Sequence, residues 1–189
     1  NGQKKWIGNA SFADLIIIWA KDEETDDVLG FVVEKGAPGF TAVDLEDKIA
    51  LRVVQNALIT LEDVRVPEEN RLQEARSFRD TAKVLKVTRA GVAWSSVGCS
   101  RGAYEHALRY ATEREQFGQP IGKFQGVSFQ IADMITEIDA ADWLTLSAAW
   151  RLDQGLPANR EIASAKVYAS EMLARVTDAA LQIHGGMGL

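Results

Sequence analysis

The chain has 189 residues, with 21 Lys and Arg against 27 Asp and Glu, so its net charge is −6 at neutral pH. Its length and its hydrophobic share of 47% allow a packed core in one domain or two small ones, while the acidic balance gives no broad positive field for a nucleic acid. The single cysteine, Cys99, excludes a disulfide framework and a cysteine-based metal site, and no apolar run reaches membrane-spanning length.

The first third of the chain, from Lys4 to Val66, has the pattern of short strands separated by turn residues. The predicted strands are rich in β-branched and aromatic residues. They are Lys5–Ile7, Leu15–Trp19, Gly30–Val33, Phe40–Val43 and Ala57–Leu61. Their regular spacing predicts an antiparallel β-barrel or sandwich, and Pro67 ends the strand region because it cannot donate a ladder hydrogen bond. We expect this β-domain to occupy residues 1–72.

Beyond Pro67 the apolar period changes from two to about 3.6, which indicates helices. Three are predicted, at about 77–116, 124–154 and 158–184. They form a truncated antiparallel helix bundle over residues 73–189, which makes the whole chain α+β. One face of the first helix carries small residues, namely Gly91, Ser95, Gly98 and Gly102. Close packing of a neighbouring helix is our interpretation of this stripe, ahead of access for a ligand.

The segment from Arg114 to Ile121 closes the first predicted helix. On its residues alone the simplest interpretation is a helix stop, in which Arg114 complements the helix dipole and Gly118 supplies a left-handed cap. The functional alternative is that Arg114 pairs with a phosphate, for which a planar and permanently charged guanidinium is well suited.

The run from Gln182 to Gly188 follows the third predicted helix, and a glycine cap with a turn is again the simplest interpretation. The alternative is that Gly185 and Gly186, which lack a Cβ, let backbone amides approach a nucleotide. A helix precedes these glycines, so they are not the dinucleotide fingerprint that follows a strand. Trp6 has two interpretations in the same way, a core or rim residue or an indole packed near a flavin ring.

The two histidines, His106 and His184, have no carboxylate and nucleophile around them at a recognisable spacing, so no catalytic triad can be argued. Metal-ligand spacing is missing as well, and we expect no metal site. The acidic run from Glu23 to Asp27 is most simply a solvated hairpin loop.

These weak signals occur in one order along the chain. The motifs are residues 1–9, Leu51-Arg52, Val64 to Pro67, Thr88-Arg89, Arg114 to Gly118, Phe124-Gln125 and Gln182 to Gly188. Together they resemble the acyl-CoA dehydrogenase family over essentially the whole chain. The run from Val87 to Trp94 is most similar to the glutaryl-CoA dehydrogenase branch and its relatives, the short-chain acyl-CoA oxidases.

The resemblance implies an N-terminal helical domain, a middle β-domain and a C-terminal four-helix bundle, assembled as a homotetramer with FAD between domains and subunits. Only the last two parts are represented here. Because the chain also opens on the turn dipeptide Asn1-Gly2 and stops just after a helix-ending signal, we expect it to be a fragment of a larger protein.

The resemblance also implies three sets of site residues. Beside the isoalloxazine ring it places Trp6, Ile7 and Gly8. At the FAD phosphates or the adenosine end it places Arg114, Gln116 and Gln125, and in the same role, across a subunit interface, Gln182, Gly185 and Gly186. At the border of the acyl-CoA pocket it places Thr88 and Arg89.

The catalytic base is expected outside the chain. A few family members carry the catalytic glutamate just before the arginine of the first bundle helix, but Thr88 holds that place here. The resemblance therefore implies a glutamate beyond Leu189, and an isolated chain without activity. Gly8 is a second departure from the family's pattern, because the family commonly has a threonine or serine there. The hydroxyl of that residue bonds the flavin, so its absence bears on which electron acceptor the protein uses.

The implied reaction of the complete protein is the FAD-dependent α,β-dehydrogenation of an acyl-CoA thioester, with an electron-transfer flavoprotein or oxygen as acceptor. The acyl chain length stays open, as does glutaryl-CoA with decarboxylation. The alternatives are an acyl-CoA oxidase and a non-catalytic binding or assembly module of the same fold. A bacterial protein would be cytoplasmic, and a eukaryotic one mitochondrial or peroxisomal.

Overall fold

The computed structural model describes residues 1–189, which divide into two compact units, Asn1–Lys83 and Val84–Leu189. Each unit has a hydrophobic core of its own. The predicted domain limits of 1–72 and 73–189 stay a prediction.

The first unit is built from five strands. They are β1 (Gly2–Gly8), β2 (Leu15–Lys21), β3 (Val28–Glu34), β4 (Phe40–Asp44) and β5 (Asn56–Leu61). One antiparallel sheet has the order β1-β5-β4, and β2 pairs with β3 in a second. The predicted antiparallel fold is confirmed, and the sheets stay open instead of closing into a barrel.

Alternation along β2 shows why these residues form a half-buried strand. Ile16 and Ile18 are buried, whereas Ile17 between them is 54% exposed, because successive side chains of a strand point to opposite faces. Val33 of β3 and Ile59 of β5 join the same core, so both sheets bury their inner faces together. Burying each isoleucine stabilises the unit by about 1.5–3 kcal/mol, and a slip of one residue in register would expose the whole set.

The second unit contains most of α1 (Phe78–Glu113) and all of α2 (Gln125–Asp153) and α3 (Asn159–His184). The helices run antiparallel to their chain neighbours. Arg101 of α1 pairs with Asp142, late in α2, whereas Ala111 of α1 lies close to Gly122, just before α2. None of these helices combines the length and the apolar character that a membrane span requires.

The core of the helical unit is rich in alanine, which lets helix backbones approach closely. Met134 and Ile138 of α2 meet Met172 and Val176 of α3 there, and all four are buried. A bidentate ion pair between Arg175 and Glu137 closes the α2–α3 contact at 2.7 Å, and the hydrogen bonds to Glu137 raise the pKa of Arg175.

The segment after α1 is a β-hairpin and not a helix cap, so the predicted role of Gly118 is wrong. Two short strands, β6 (Glu115–Gln116) and β7 (Gln119–Pro120), pair across a two-residue turn. Both turn residues are left-handed, with φ of 53° at Phe117 and 79° at Gly118, as the tightest hairpin turns require. Helix α1 therefore ends at Glu113, three residues before the predicted limit of 116.

The stripe of small residues on α1 does not pack against a neighbouring helix of this chain. A Cβ built on Gly91, Gly98 or Gly102 would meet nothing within 4 Å. The interpretation of the stripe as a close helix contact is therefore wrong within this structure, and the cost of glycine in a helix is not offset by contacts of the chain itself.

Candidate functional site

Trp6 lies at a bulge in β1. Lys4 pairs with Ile59 and Ile7 with Ala57, so that two residues of β1 oppose one residue of β5. Trp6 has φ of 66°, a left-handed conformation that is rare for a bulky side chain. The residue is 58% exposed. The bulge thus presents a flat aromatic ring at the surface, which removes the interpretation of Trp6 as a core residue.

Ile7 and Gly8 follow the bulge and differ in their surroundings. Ile7 is half-buried and packs on the core of the first unit. Gly8 is exposed, and a Cβ there would meet only Val54 Cγ1, at an ordinary 3.6 Å. The packing of the chain therefore leaves room for a serine or threonine at position 8, and the absence of a hydroxyl is not imposed by the fold.

Arg114 is the first residue after α1. Its N–H donates to the Tyr110 carbonyl at 2.8 Å, and its carbonyl accepts from the Ile121 N–H at 2.8 Å, so its backbone is held between helix and hairpin. The side chain is exposed and forms no ion pair with a carboxylate of the chain. The backbone of Arg114 is thus fixed, and its guanidinium has no carboxylate partner in the chain. An unpaired guanidinium is well suited to bind a phosphate.

Gln116 and Gln125 belong to the same local structure. Gln116 is the last residue of β6, and its side-chain amide donates to the Glu115 carbonyl at 2.7 Å. Gln125 is exposed and begins α2. Phe117 at the hairpin tip meets Phe124 edge to face, with ring centroids 6.1 Å apart, and this contact holds the hairpin against the start of α2.

The glycines after α3 have different reasons for being glycine. Gly185 has φ of 57° and ψ of −133°, which disfavours any residue with a Cβ, and its N–H caps the helix on the Gln182 carbonyl. A Cβ on Gly188 would lie 2.6 Å from the Leu181 carbonyl oxygen. Gly186 has neither constraint, because a Cβ there meets nothing within 4 Å. The chain itself therefore does not require glycine at position 186.

The ends of α1 and α3 are joined by an aromatic contact. The rings of Tyr110 and His184 stack with centroids 4.6 Å apart and an interplanar angle of 26°. Nδ1 of His184 lies 2.7 Å from the Ala180 carbonyl oxygen, and because a carbonyl only accepts, this nitrogen carries the proton. Arg114 lies one turn beyond Tyr110, and Gly185 is next to His184 in the chain, so the two predicted phosphate-binding segments lie at the same end of the unit.

We name this set the helix-end cluster. Its members are Arg114, Gln116, Gln125, Gln182, Gly185 and Gly186, all of them exposed. The cluster offers one permanent positive charge, amide groups and backbone N–H groups, and it contains no side chain that titrates near neutral pH. Nothing in the chain forms a group of three His, Cys, Asp or Glu residues suited to a metal ion. The cluster can therefore bind an acceptor-rich anion, but it cannot transfer a proton.

Thr88 and Arg89 lie elsewhere, in the first half of α1. Both are exposed, and the Thr88 hydroxyl donates to the Leu85 carbonyl within the helix at 3.1 Å. The rise of a helix puts Arg89 roughly 37 Å from Arg114 along the axis. The structure does not bring these two residues to the helix-end cluster, and their predicted role at an acyl-CoA pocket stays a prediction.

Four further residues shape these sites without being indicated by the sequence. Tyr110 and His184 join the two halves of the helix-end cluster, although His184 belongs to no triad or metal-site pattern. Lys48 donates to the loop before β5 and to the Asn56 side chain, and Asn56 donates to the carbonyl of Trp6. No local motif marks either pair, because each joins residues that lie apart in the sequence.

Comparison with protein families finds two matches in the order of the two units. The family model described as "Acyl-CoA dehydrogenase, middle domain" matches residues 1–64, and the model described as "Acyl-CoA dehydrogenase, C-terminal domain" matches residues 78–189. The helix-end cluster lies wholly within the second match.

Curated relatives match over the full length of the chain. "Probable acyl-CoA dehydrogenase YngJ" of Bacillus subtilis is 42% identical over 193 residues, covering 100% of this chain and 51% of the relative. "Caffeyl-CoA reductase-Etf complex subunit CarC" of Acetobacterium woodii is 40% identical over 192 residues, with coverage of 100% and 51%. The chain thus spans about half the length of the curated relatives it matches.

Solved structures agree with these relatives. The crystal structure of a glutaryl-CoA dehydrogenase from Mycobacterium smegmatis in complex with FADH2 superposes with a TM-score of 0.95 at 26% sequence identity. It covers 100% of this chain and 48% of the other.

Proposed function

This chain belongs to the acyl-CoA dehydrogenase family, and on that premise we propose that the whole protein is an FAD-dependent enzyme that oxidises an acyl-CoA thioester to the 2-enoyl thioester. Both family matches and the curated relatives support an oxidoreductase. The chain spans about half of those relatives, so the activity is proposed for the whole protein, with this chain supplying part of the site.

One observation carries the proposal, namely the stacking of Tyr110 on His184, which puts Arg114 and the glycines after α3 at the same end of the helical unit. The residues fit the diphosphate of FAD. The guanidinium of Arg114 has no partner within the chain, the first turn of α2 carries no acidic residue, and the space over Gly186 is open. We propose that Arg114 binds the diphosphate, while Gln116, Gln125, Gln182 and the backbone at Gly185 and Gly186 contact the phosphates or the adenosine end.

Trp6, Ile7 and Gly8 are proposed to lie beside an isoalloxazine ring. The exposed indole of Trp6 offers a flat apolar surface for the isoalloxazine ring, and Ile7 fixes the strand beneath it in the core. Gly8 would offer backbone groups only. FAD, when bound, supplies the acceptor for the hydride that leaves the β-carbon of the substrate.

The base that takes the α-proton is proposed to lie outside residues 1–189. A general base must be an acceptor with a suitable pKa, and the Thr88 hydroxyl already donates to the Leu85 carbonyl. The candidate binding residues of this chain are arginines, glutamines, glycines, Trp6, Ile7 and Thr88, and none of their side chains accepts a proton at neutral pH. The role proposed for Thr88 and Arg89 is to border the acyl-CoA pocket.

The proposed electron acceptor is an electron-transfer flavoprotein, because one relative at 40% identity is named as a subunit of a reductase-Etf complex. The word reductase in the same name supports a second candidate function, the reverse reaction, in which a 2-enoyl-CoA is reduced. The third candidate function is an acyl-CoA oxidase. Gly8 favours it, because the fold has room at this position for the flavin-bonding hydroxyl common in the family, and this chain lacks that hydroxyl. Glutaryl-CoA is one proposed substrate among acyl-CoA thioesters, supported by the similar glutaryl-CoA dehydrogenase.

A homotetramer is proposed from the exposed face of α2. Trp143 is 73% exposed and Trp150 58% exposed, and their spacing of seven residues puts both on one side of the helix with Leu146. Such apolar surface is typical of subunit contacts. Light scattering of the whole protein would test this, and a monomer would contradict it.

The proposal is tested by incubating the whole protein and the isolated chain 1–189 with FAD and a panel of saturated acyl-CoA thioesters. The whole protein is expected to form the 2-enoyl thioester, two hydrogens lighter by mass, and the isolated chain is expected to form none. Reduction of an electron-transfer flavoprotein without peroxide separates the dehydrogenase from the oxidase. A whole protein that binds FAD but neither oxidises a saturated thioester nor, with reduced FAD, reduces a 2-enoyl thioester would support the non-catalytic module instead.

A further inference from the structure

The ammonium group of Lys48 is enclosed by neutral acceptors. Nζ donates to the Leu51 carbonyl at 2.9 Å, to the Val54 carbonyl at 2.5 Å and to Oδ1 of Asn56 at 2.5 Å. An ammonium has three N–H groups, so each has one acceptor. Lys48 is half-buried and forms no ion pair with a carboxylate. Its side chain thus fastens the loop before β5 to the first residue of that strand.

Asn56 passes this contact on to Trp6. Its Nδ2 donates to the Trp6 carbonyl at 3.1 Å, while its Oδ1 accepts from Lys48. An ammonium can only donate, so the amide oxygen must face Lys48, and the NH₂ group must then face the carbonyl, which can only accept. Lys48 therefore fixes which way round the amide of Asn56 lies.

The hydrogen bond from Asn56 to Trp6 lies at the bulge of β1. Trp6 is left-handed, with φ of 66°, and its indole is exposed, so no burial of the ring holds it in that conformation. A non-glycine residue in this region is strained, and the conformation persists only where its surroundings impose it. The ladder hydrogen bonds of the sheet are interrupted at the bulge, between Lys4 and Ile7. The Asn56 side chain supplies a hydrogen bond to the bulge at that point.

We propose that Asn56, oriented by Lys48, is a positioning residue that holds Trp6 in its left-handed conformation and so fixes the direction of its indole. Its consequence for the cofactor rests on the proposed function, in which that indole lies beside the flavin. Asn56 itself is assigned no contact with substrate or flavin and acts only through the backbone of Trp6.

The substitution Asn56→Asp separates this role from a merely structural one. The new carboxylate still accepts from Lys48, so the loop stays fastened, but it cannot donate to the Trp6 carbonyl and would repel it. Lys48→Met removes all three donors and frees the amide to turn over. Lys35→Met is the matched control, because Lys35 donates to the Phe12 carbonyl, at 3.4 Å, and not to Asn56.

The test is fluorine NMR of the whole protein, as apoprotein, labelled with 5-fluorotryptophan, with the Trp6 resonance assigned by its loss in Trp6→Phe. Asn56→Asp is expected to shift and broaden that resonance without moving the Trp19 resonance, with a Tm close to that of the parent protein. Lys48→Met should give the same change at Trp6 with a lower Tm, and Lys35→Met should leave Trp6 unchanged. If Asn56→Asp and Lys48→Met leave the Trp6 resonance in place, the positioning role is wrong.

Adding FAD separates this proposal from the proposed function. In the parent protein a flavin beside the indole is expected to shift the Trp6 resonance by its ring current, and Asn56→Asp should reduce that shift. If FAD binds without moving the Trp6 resonance, the placement of the flavin is wrong, while the effect of Asn56 on Trp6 remains decided by the apoprotein spectra.

Discussion

The Tyr110 ring stacks on the His184 ring, 4.6 Å away, and so joins the last turns of two helices that are not consecutive in the chain. Each ring lies close to one of the two segments predicted to bind phosphate. Arg114 comes one turn after Tyr110, and Gly185 comes directly after His184. A charge suited to a phosphate and a backbone open to a ligand thereby lie at the same end of the helical unit, although neither segment indicates this by itself.

The first prediction concerns this aromatic pair. Tyr110→Leu and His184→Leu should each destabilise the helical unit, and the double-mutant cycle should show a coupling of about 0.5–1.5 kcal/mol, the usual value for a stacked pair beyond its buried area. Urea unfolding of the four proteins measures this. Both single variants should also bind FAD more weakly than the parent protein, whereas additive effects on stability would show that the contact holds nothing together.

The second prediction concerns the charge of Arg114. Arg114→Ala should weaken FAD binding by the whole protein about 10- to 100-fold, because a hydrogen bond to a charged group contributes about 1.5–3 kcal/mol. Arg114→Lys should recover only part of this, since an ammonium lacks the planar fork. Titration of apoprotein with FAD gives the dissociation constants. The control is Arg109→Ala, at an exposed arginine of α1 five residues earlier in the chain, and an equal loss in that variant would assign the effect to net charge.

The third prediction distinguishes the roles of Gly186 and Gly188 in stability and in FAD binding. Gly188→Ala should destabilise the protein by about 1–3 kcal/mol, because its Cβ would lie 2.6 Å from the Leu181 carbonyl oxygen. Gly186→Ala should leave the free energy of unfolding within about 1 kcal/mol of the parent value, since its Cβ meets nothing within 4 Å. The same variant should nevertheless bind FAD more weakly. Unchanged affinity at position 186 would mean that no cofactor approaches this backbone.

The fourth prediction is a pH dependence at the start of α1. Hydrogen bonds from Lys83 and from the Arg76 N–H hold the pKa of Asp80 below its ordinary value of 3.8. A carboxylate with a depressed pKa contributes stability that is present above its unfolded pKa and lost as the pH falls through the folded pKa. Asp80→Asn should therefore destabilise the protein at neutral pH and converge with the parent protein in strong acid.

Urea unfolding at a series of pH values measures this difference for Asp80→Asn. Asp139→Asn, which removes the same charge at an exposed aspartate of α2, is the control for the change in net charge. A difference for Asp80→Asn that stays constant down to the most acidic pH would contradict the assignment.

Much of the fold could be predicted because its signals are local. The alternation that buries Ile16 and Ile18 around the exposed Ile17 is contained within β2, and the change to a helical period after Pro67 separates the two kinds of structure. The hairpin after α1 could not be predicted, for a physical reason. Gly118 in a left-handed conformation serves a helix cap and a tight turn equally well, and the left-handed Phe117 that decides between them is not a residue that indicates such a turn.

The sites were predictable only in part. The resemblance to a family supplied Trp6, Arg114 and the glycines after α3, and the stacking of Tyr110 on His184 puts the last two at the same end of the helical unit. The bulge that exposes Trp6 depends on the register of β1 with β5, and its support by Asn56 depends on a loop that returns to the same strand. These are relationships between residues far apart in the sequence, and composition, periodicity and short motifs contain no signal for them.

The proposed function requires that Arg114 and Gly186 contact an FAD molecule, either within one chain or across a subunit interface. A crystal structure of the whole protein with FAD tests this requirement most directly. We expect the Arg114 guanidinium within hydrogen-bonding distance of the diphosphate and the backbone at Gly186 packed against the same cofactor. FAD bound elsewhere, with both residues facing solvent throughout the assembly, would contradict the proposal.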